Sequence, residues 1–226
     1  MIKEVITSVP VMLCLTVGAY LLGCWVKKKS ALSLLHPFLI SIPVIIAILW
    51  CLDIPCSVYL ESNRLITFLL GPCVVSLGLM LYEHRQTIKQ FCFSILVTVF
   101  VGSAVGVGSV WALCELFKLD DVFFDSLAAK SVTTPIAMDL TSMLGGNVSL
   151  AAISVVLCGF SGAIIGPLVM RWAKIKAPVA KGLAMGCASH GLGTARAVEM
   201  GALEGAVGGL SIALMGLATS LVVSVI

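Results

Sequence analysis

Six stretches of 18–27 residues, 5–26, 34–52, 65–82, 91–117, 147–170 and 205–226, contain between them a single Asp, Glu, Lys or Arg, which is Glu115. A helix needs roughly 20 apolar residues to cross the hydrocarbon of a bilayer, so each stretch reads as a spanning helix. With 60% hydrophobic and 11% charged residues and a mean hydropathy of +1.14, there is too little polar surface to cover a soluble globule of 226 residues. The expected fold is therefore an all-α integral membrane protein, a single transmembrane domain over 1–226 with 5–90 as scaffold spans and 91–226 as a core. Residues 5–26 are too long for a signal-peptide core, lack a small-residue cleavage site and run into Lys27-Lys28-Lys29, so they read as a retained helix.

The nine cysteines form no C-x-x-C pair and have no histidine at ligand spacing, so they read as small apolar residues in helix contacts rather than disulfides or a metal site. No cofactor, metal or nucleic acid is expected.

Short basic loops stay on the cytoplasmic side of a membrane. Three connections are basic: Lys27 to Lys29, Arg85 with Lys89, and Arg171, Lys174, Lys176 and Lys181. The intervening ones carry Asp53 and Glu61, or Asp120, Asp121 and Asp125. Alternating them gives six crossings with both termini outside. Two segments are left over, 127–141 and 182–200, and each must dip into the membrane and return, one from either face. Eight full crossings are the alternative. Irregular backbone at that depth is tolerated where it is buried in protein or lines a wet cavity.

A shift of 60 residues lays Thr134-Pro135-Ile136-Ala137-Met138-Asp139 over Thr194-Ala195-Arg196-Ala197-Val198-Glu199. An inverted repeat with broken helices places a substrate site near the bilayer midplane. Thr134 before Pro135 reads as an N-cap followed by proline in the first turn, and Thr194 as a second cap after a helix-weak Gly191-Leu192-Gly193. Two helix N-termini inside the membrane, with unpaired N–H groups and partial positive charge, suit a carboxylate.

Arg196 either serves such an anion or forms an i,i+3 pair with Glu199. His190 either couples a proton or is a hydrogen-bonded buried residue. Ser131, Thr133, Ser189 and Gly193 complete the expected substrate site. Lys130, Pro135, Asp139 and Glu199 are structural or coupling residues, Lys130 with a snorkelling alternative. Ser189 beside His190 lacks the glycine of a nucleophile elbow, so enzyme chemistry is not expected.

At Lys130-Ser131-Val132-Thr133-Thr134-Pro135-Ile136-Ala137 and Gly182-Leu183-Ala184-Met185-Gly186, continuing through Ala188-Ser189-His190 and Gly193-Thr194-Ala195-Arg196 to Glu199, the sequence resembles the LrgB/CidB family. Weaker similarity includes His36-Pro37 and Leu81-Tyr82. Ala129, Gly191 and Met80 depart from the family's usual proline, alanine and proline. The resemblance implies a multi-pass protein of the bacterial cytoplasmic (inner) membrane, self-associating as a dimer, with a smaller LrgA/CidA-type membrane partner. It also implies two functions. One is transport of small monocarboxylates or 2-hydroxycarboxylates of the pyruvate, lactate and glycolate/glycerate class. The other is holin- or antiholin-like regulation of murein hydrolase activity and autolysis.

Overall fold

A computed structural model describes residues 6–30 and 37–225. The beginnings of the first two expected spans, residue 5 and residues 34–36 with His36, and Ile226 at the end of the last, lie outside the described residues. The described chain is helical without strands: α1 (Val9–Ser30), α2 (Pro37–Cys51), α3 (Cys56–Ser62), α4 (Arg64–Glu83), α5 (Arg85–Gln90), α6 (Cys92–Phe117), α7 (Asp121–Leu127), α8 (Thr134–Leu144), α9 (Val148–Trp172), α10 (Pro178–Met200) and α11 (Ala202–Val223). Five of them, α1, α4, α6, α9 and α11, are long and apolar enough to cross a membrane, and α2 is a shorter apolar helix. These match the six expected spans. Trp25, Trp50, Trp111 and Trp172, each within about a turn or two of a helix end, are more than half exposed, as membrane-interface anchors are.

The chain divides into two compact units, Met1–Val75 and Ser76–Ile226. In the first, Met12, Leu49 and Ile54 form the core. Beside it Thr16 Oγ1 lies 2.8 Å from the Tyr59 hydroxyl and 2.9 Å from Asn63 Oδ1.

The second unit is built on α6, α9 and α11, and both leftover segments are hairpins within it. α10 loses helical backbone at His190 (φ 39, ψ −121) and there reverses direction. Met185 packs in one cluster with Ala197, and Lys181 shares a pocket with Arg196. A straight helix would hold these pairs about 18 and 22 Å apart. Gly182 and Gly186 of the first arm face Glu204 and Gly208 of α11, whereas Val198 and Thr194 of the second arm face Gly205 and Gly208. The first arm thus runs parallel to α11 and the second antiparallel. The other hairpin is α7, a turn over 128–133, and α8. Its two limbs are tied where the Asn147 N–H, just past α8, donates to Ser126 Oγ near the end of α7 at 2.8 Å.

The hairpins enter from opposite faces. α6 runs parallel to α11, through Ser103 and Thr219 (3.0 Å) and through Val107 beside Val223. α9 runs antiparallel to the first arm of α10, with Gly166 facing Met185 and Gly159 facing His190. Hence α6 and α9 are antiparallel. Arg85 and Lys89, before α6, share a face with Arg171, Lys174, Lys176 and Lys181, after α9; Asp120, Asp121 and Asp125 lie at the other.

The repeat has a period of 56 residues, not 60. α6 and α9 both end in a left-handed lysine, Lys118 (φ 52) and Lys174 (φ 55), followed by an apolar residue whose N–H returns five positions at 2.9 Å, Leu119 to Cys114 and Ile175 to Met170. This is a Schellman-type closure. Those lysines are 56 residues apart, as are Gly145 and Gly201, the C-caps of the two hairpins. The four-residue discrepancy is about one helical turn. A shift of 60 therefore keeps Thr134 and Thr194 on one helix face but one turn out of register.

Candidate functional site: two hairpin tips against the middle of α9

Gly159, Gly162 and Gly166 share one face of α9, since residues three and four apart are neighbours on a helix. A Cβ at Gly159 would stand 2.8 Å from His190 Cε1, one at Gly162 2.9 Å from Ser189 Cβ, and one at Gly166 2.7 Å from Met185 Sδ. Missing side chains on α9 are what let the tip of the α10 hairpin lie against it. Polar contacts then fix the tip: Cys158 Sγ donates to the Ala188 carbonyl at 3.3 Å, and His190 Nε2 donates to the Val155 carbonyl at 3.0 Å. His190 is thus buried and hydrogen-bonded to backbone.

The break falls at His190, not over Gly191-Leu192-Gly193, which are helical. Thr194 is therefore within the second arm rather than its cap. The His190 backbone is close to the first central position of a type II′ turn, which favours glycine. A non-glycine residue held there costs on the order of 1–3 kcal/mol, offset here by the bond to Val155. His190→Gly is accordingly expected to be more stable than His190→Ala by about 1 kcal/mol, measured by thermal unfolding in detergent. That order is opposite to helix propensity, in which glycine is worse than alanine.

At the other tip the cap is one residue earlier than expected. Thr133 (φ −70, ψ 150) is the N-cap, without a side-chain capping bond, and Thr134 and Pro135 fall in the first turn of α8. Pro135 stands in the first turn, where its missing N–H costs no intrahelical bond, and the chain is helical from Thr134. Lys130 Nζ donates to the Gly106 carbonyl at 3.1 Å in the middle of α6. Ser131 Oγ approaches the same glycine. Val132, Ala129 and Ala137 of this hairpin, Val155 of α9 and Leu183 of α10 join one buried cluster.

Cys158, Val155 and the segment Ala188 to His190 thus come together at mid-depth, with Lys130 held against the middle of α6. Other expected residues do not join them. Asp139 is exposed on α8. Arg196 forms the i,i+3 ion pair with Glu199 and lines a pocket with Arg171 and Lys181 at the base of the hairpin. The residues that sequence reasoning missed are Val155, Cys158 and the α9 glycines. The Gly159, Gly162, Gly166 spacing was the readable signal.

Among the described residues three buried hydroxyls have no hydrogen-bond partner: Ser189 Oγ, Thr194 Oγ1 and Thr141 Oγ1. Other buried hydroxyls are bonded, Ser211 to the Val207 carbonyl at 2.6 Å and Ser103 with Thr219 at 3.0 Å. Ser189 and Thr194 flank the break.

The model of the LrgB-like family matches residues 16–226. The chain belongs to the LrgB-like family. It is 36% identical over 204 residues to the uncharacterized protein YxaC of Bacillus subtilis, covering 90% of this chain and 89% of that one. It is 29% identical over 199 residues to the antiholin-like protein LrgB of B. subtilis (88% and 86%), and 28% identical over 206 residues to antiholin-like LrgB of Bacillus mycoides (91% and 90%). No solved structure matches. Family membership agrees with a multi-pass membrane protein and with an LrgA-type partner.

Proposed function

We propose that this LrgB-like protein carries a small monocarboxylate or 2-hydroxycarboxylate across the membrane, bound between the two hairpin tips. The observation that carries the reading is the pair of buried, unpartnered hydroxyls, Ser189 Oγ and Thr194 Oγ1, at a helix start halfway along α9. A buried polar group left unpaired costs about 1–3 kcal/mol, so a carboxylate accepting from either hydroxyl removes a standing penalty. The N–H groups of the arm beginning at Gly191 and of α8 lack intrahelical partners and add partial positive charge. Lys130 supplies a full charge, with Ser131 and Thr133 beside it. His190 positions the tip through Val155. The α9 glycines leave room for the hairpin to slide, and alternate exposure follows from moving the tips against α9. Positive-inside placement puts the Arg171 end of α9 in the cytoplasm and both termini outside.

A second reading is favoured by the names of the B. subtilis and B. mycoides relatives, antiholin-like LrgB. It makes the protein a regulator of lysis with no substrate, and leaves the hydroxyl pair without a role. Proteoliposomes containing the protein, with and without an LrgA/CidA-type partner, separate the two. Saturable flux of labelled pyruvate, lactate or glycolate, with a trapped dye retained, is the expected result. Dye release without carboxylate preference replaces the carrier by the regulator.

A further inference from the structure

At the base of the α10 hairpin, Arg171, Lys181 and Arg196 line a pocket of about 210 Å³ floored by Met170 and Ile175. Those two floor residues also belong to a second cavity, about 430 Å³, that follows α9 up to Cys158 and Ser189. The head of this groove is cationic and its length is apolar. Arg196 is paired with Glu199, but Arg171 and Lys181 have no ion-pair partner among the described residues. Along the groove, Ser161 turns its hydroxyl back to the Leu157 carbonyl at 2.7 Å. The outer edge is open to lipid: Ile165 and Val169 are about half exposed and Trp172 is 87% exposed.

A dissolved carboxylate gains nothing from such a wall, whereas an acyl chain does. From Met170 to Cys158 the helix rises about 18 Å, close to one leaflet's share of a core of about 30 Å. The cationic end lies at the Lys- and Arg-rich face, where the leaflet carries anionic lipid. We infer that this groove is a binding site for an anionic phospholipid of that leaflet. Its phosphate sits among Arg171, Lys181 and Arg196, and one acyl chain lies along α9 toward the hairpin tip. The bound lipid lies between α9 and the first arm of α10, wedging the base of the hairpin against α9.

Native mass spectrometry on delipidated protein tests this independently of flux. The probes are phosphatidylglycerol and phosphatidylcholine with identical chains, and glycerol 3-phosphate as a headgroup without chains. Wild type is expected to retain phosphatidylglycerol preferentially. Arg171→Gln with Lys181→Gln is expected to weaken it roughly fivefold per cation removed and leave phosphatidylcholine unchanged. Ala184→Phe, on the exposed wall of the groove, is expected to weaken phosphatidylglycerol but not glycerol 3-phosphate. Equal retention of the two lipids, or unchanged phosphatidylglycerol in the double variant, overturns the site. Loss in the double variant without any effect of Ala184→Phe makes it a headgroup pocket only and overturns the lipid assignment.

Discussion

Replacing Gly193 with alanine is expected to destabilise the protein by about 1–3 kcal/mol, whereas the same change two residues away at Gly191 is expected to be neutral or stabilising by about 0.5–1 kcal/mol. Both glycines are helical, so the difference is steric. A Cβ at Gly193 would meet the Met185 carbonyl, with its carbon at 2.9 Å and Ser189 Cβ at 2.7 Å, while one at Gly191 meets nothing within 4 Å. The Met185 carbonyl is backbone of the opposite arm and cannot move without opening the hairpin. Were α10 a straight spanning helix, eight residues would separate Gly193 from Met185 by about 12 Å, and alanine would help at both positions through helix propensity. Opposite signs in thermal unfolding therefore report the reversal at His190 itself.

The spans were legible because their signal is length and apolarity, which a bilayer imposes directly on sequence. That the segments 127–141 and 182–200 turn back was legible too, from parity: basic loops on one face leave no room for two further crossings. Register was not. Thr133 and Thr134 are chemically alike as caps, and only the backbone at Thr133 (φ −70, ψ 150) separates them. His190 was opaque for a different reason. Its role depends on the Val155 carbonyl, which has no side-chain signature, and on glycines of α9 distant in sequence. Arg196 drew the substrate role because a membrane arginine is expensive. It lies at the hairpin base, beside Glu199, where that expense does not arise.

Thr194→Val is expected to lower carboxylate flux at least tenfold while leaving the protein as stable as wild type or more stable by about 1 kcal/mol. Valine matches threonine in shape, and the hydroxyl it removes is buried at 3% exposure with no partner. Removing an unsatisfied group relieves its desolvation penalty, whereas removing one member of a bonded pair adds one. Thr219→Val is the matched control. Its hydroxyl is 1% exposed and bonded to Ser103 at 3.0 Å, so valine there is expected to cost about 0.5–1.5 kcal/mol and to leave flux intact. The two variants make the same chemical change on packed membrane helices and differ only in whether the hydroxyl is already satisfied. A stability gain accompanied by a flux loss at Thr194 means that the unpaired group is kept for a ligand. A stability gain with flux unchanged removes Thr194 from the substrate site and leaves the carboxylate to the other groups at the hairpin tips.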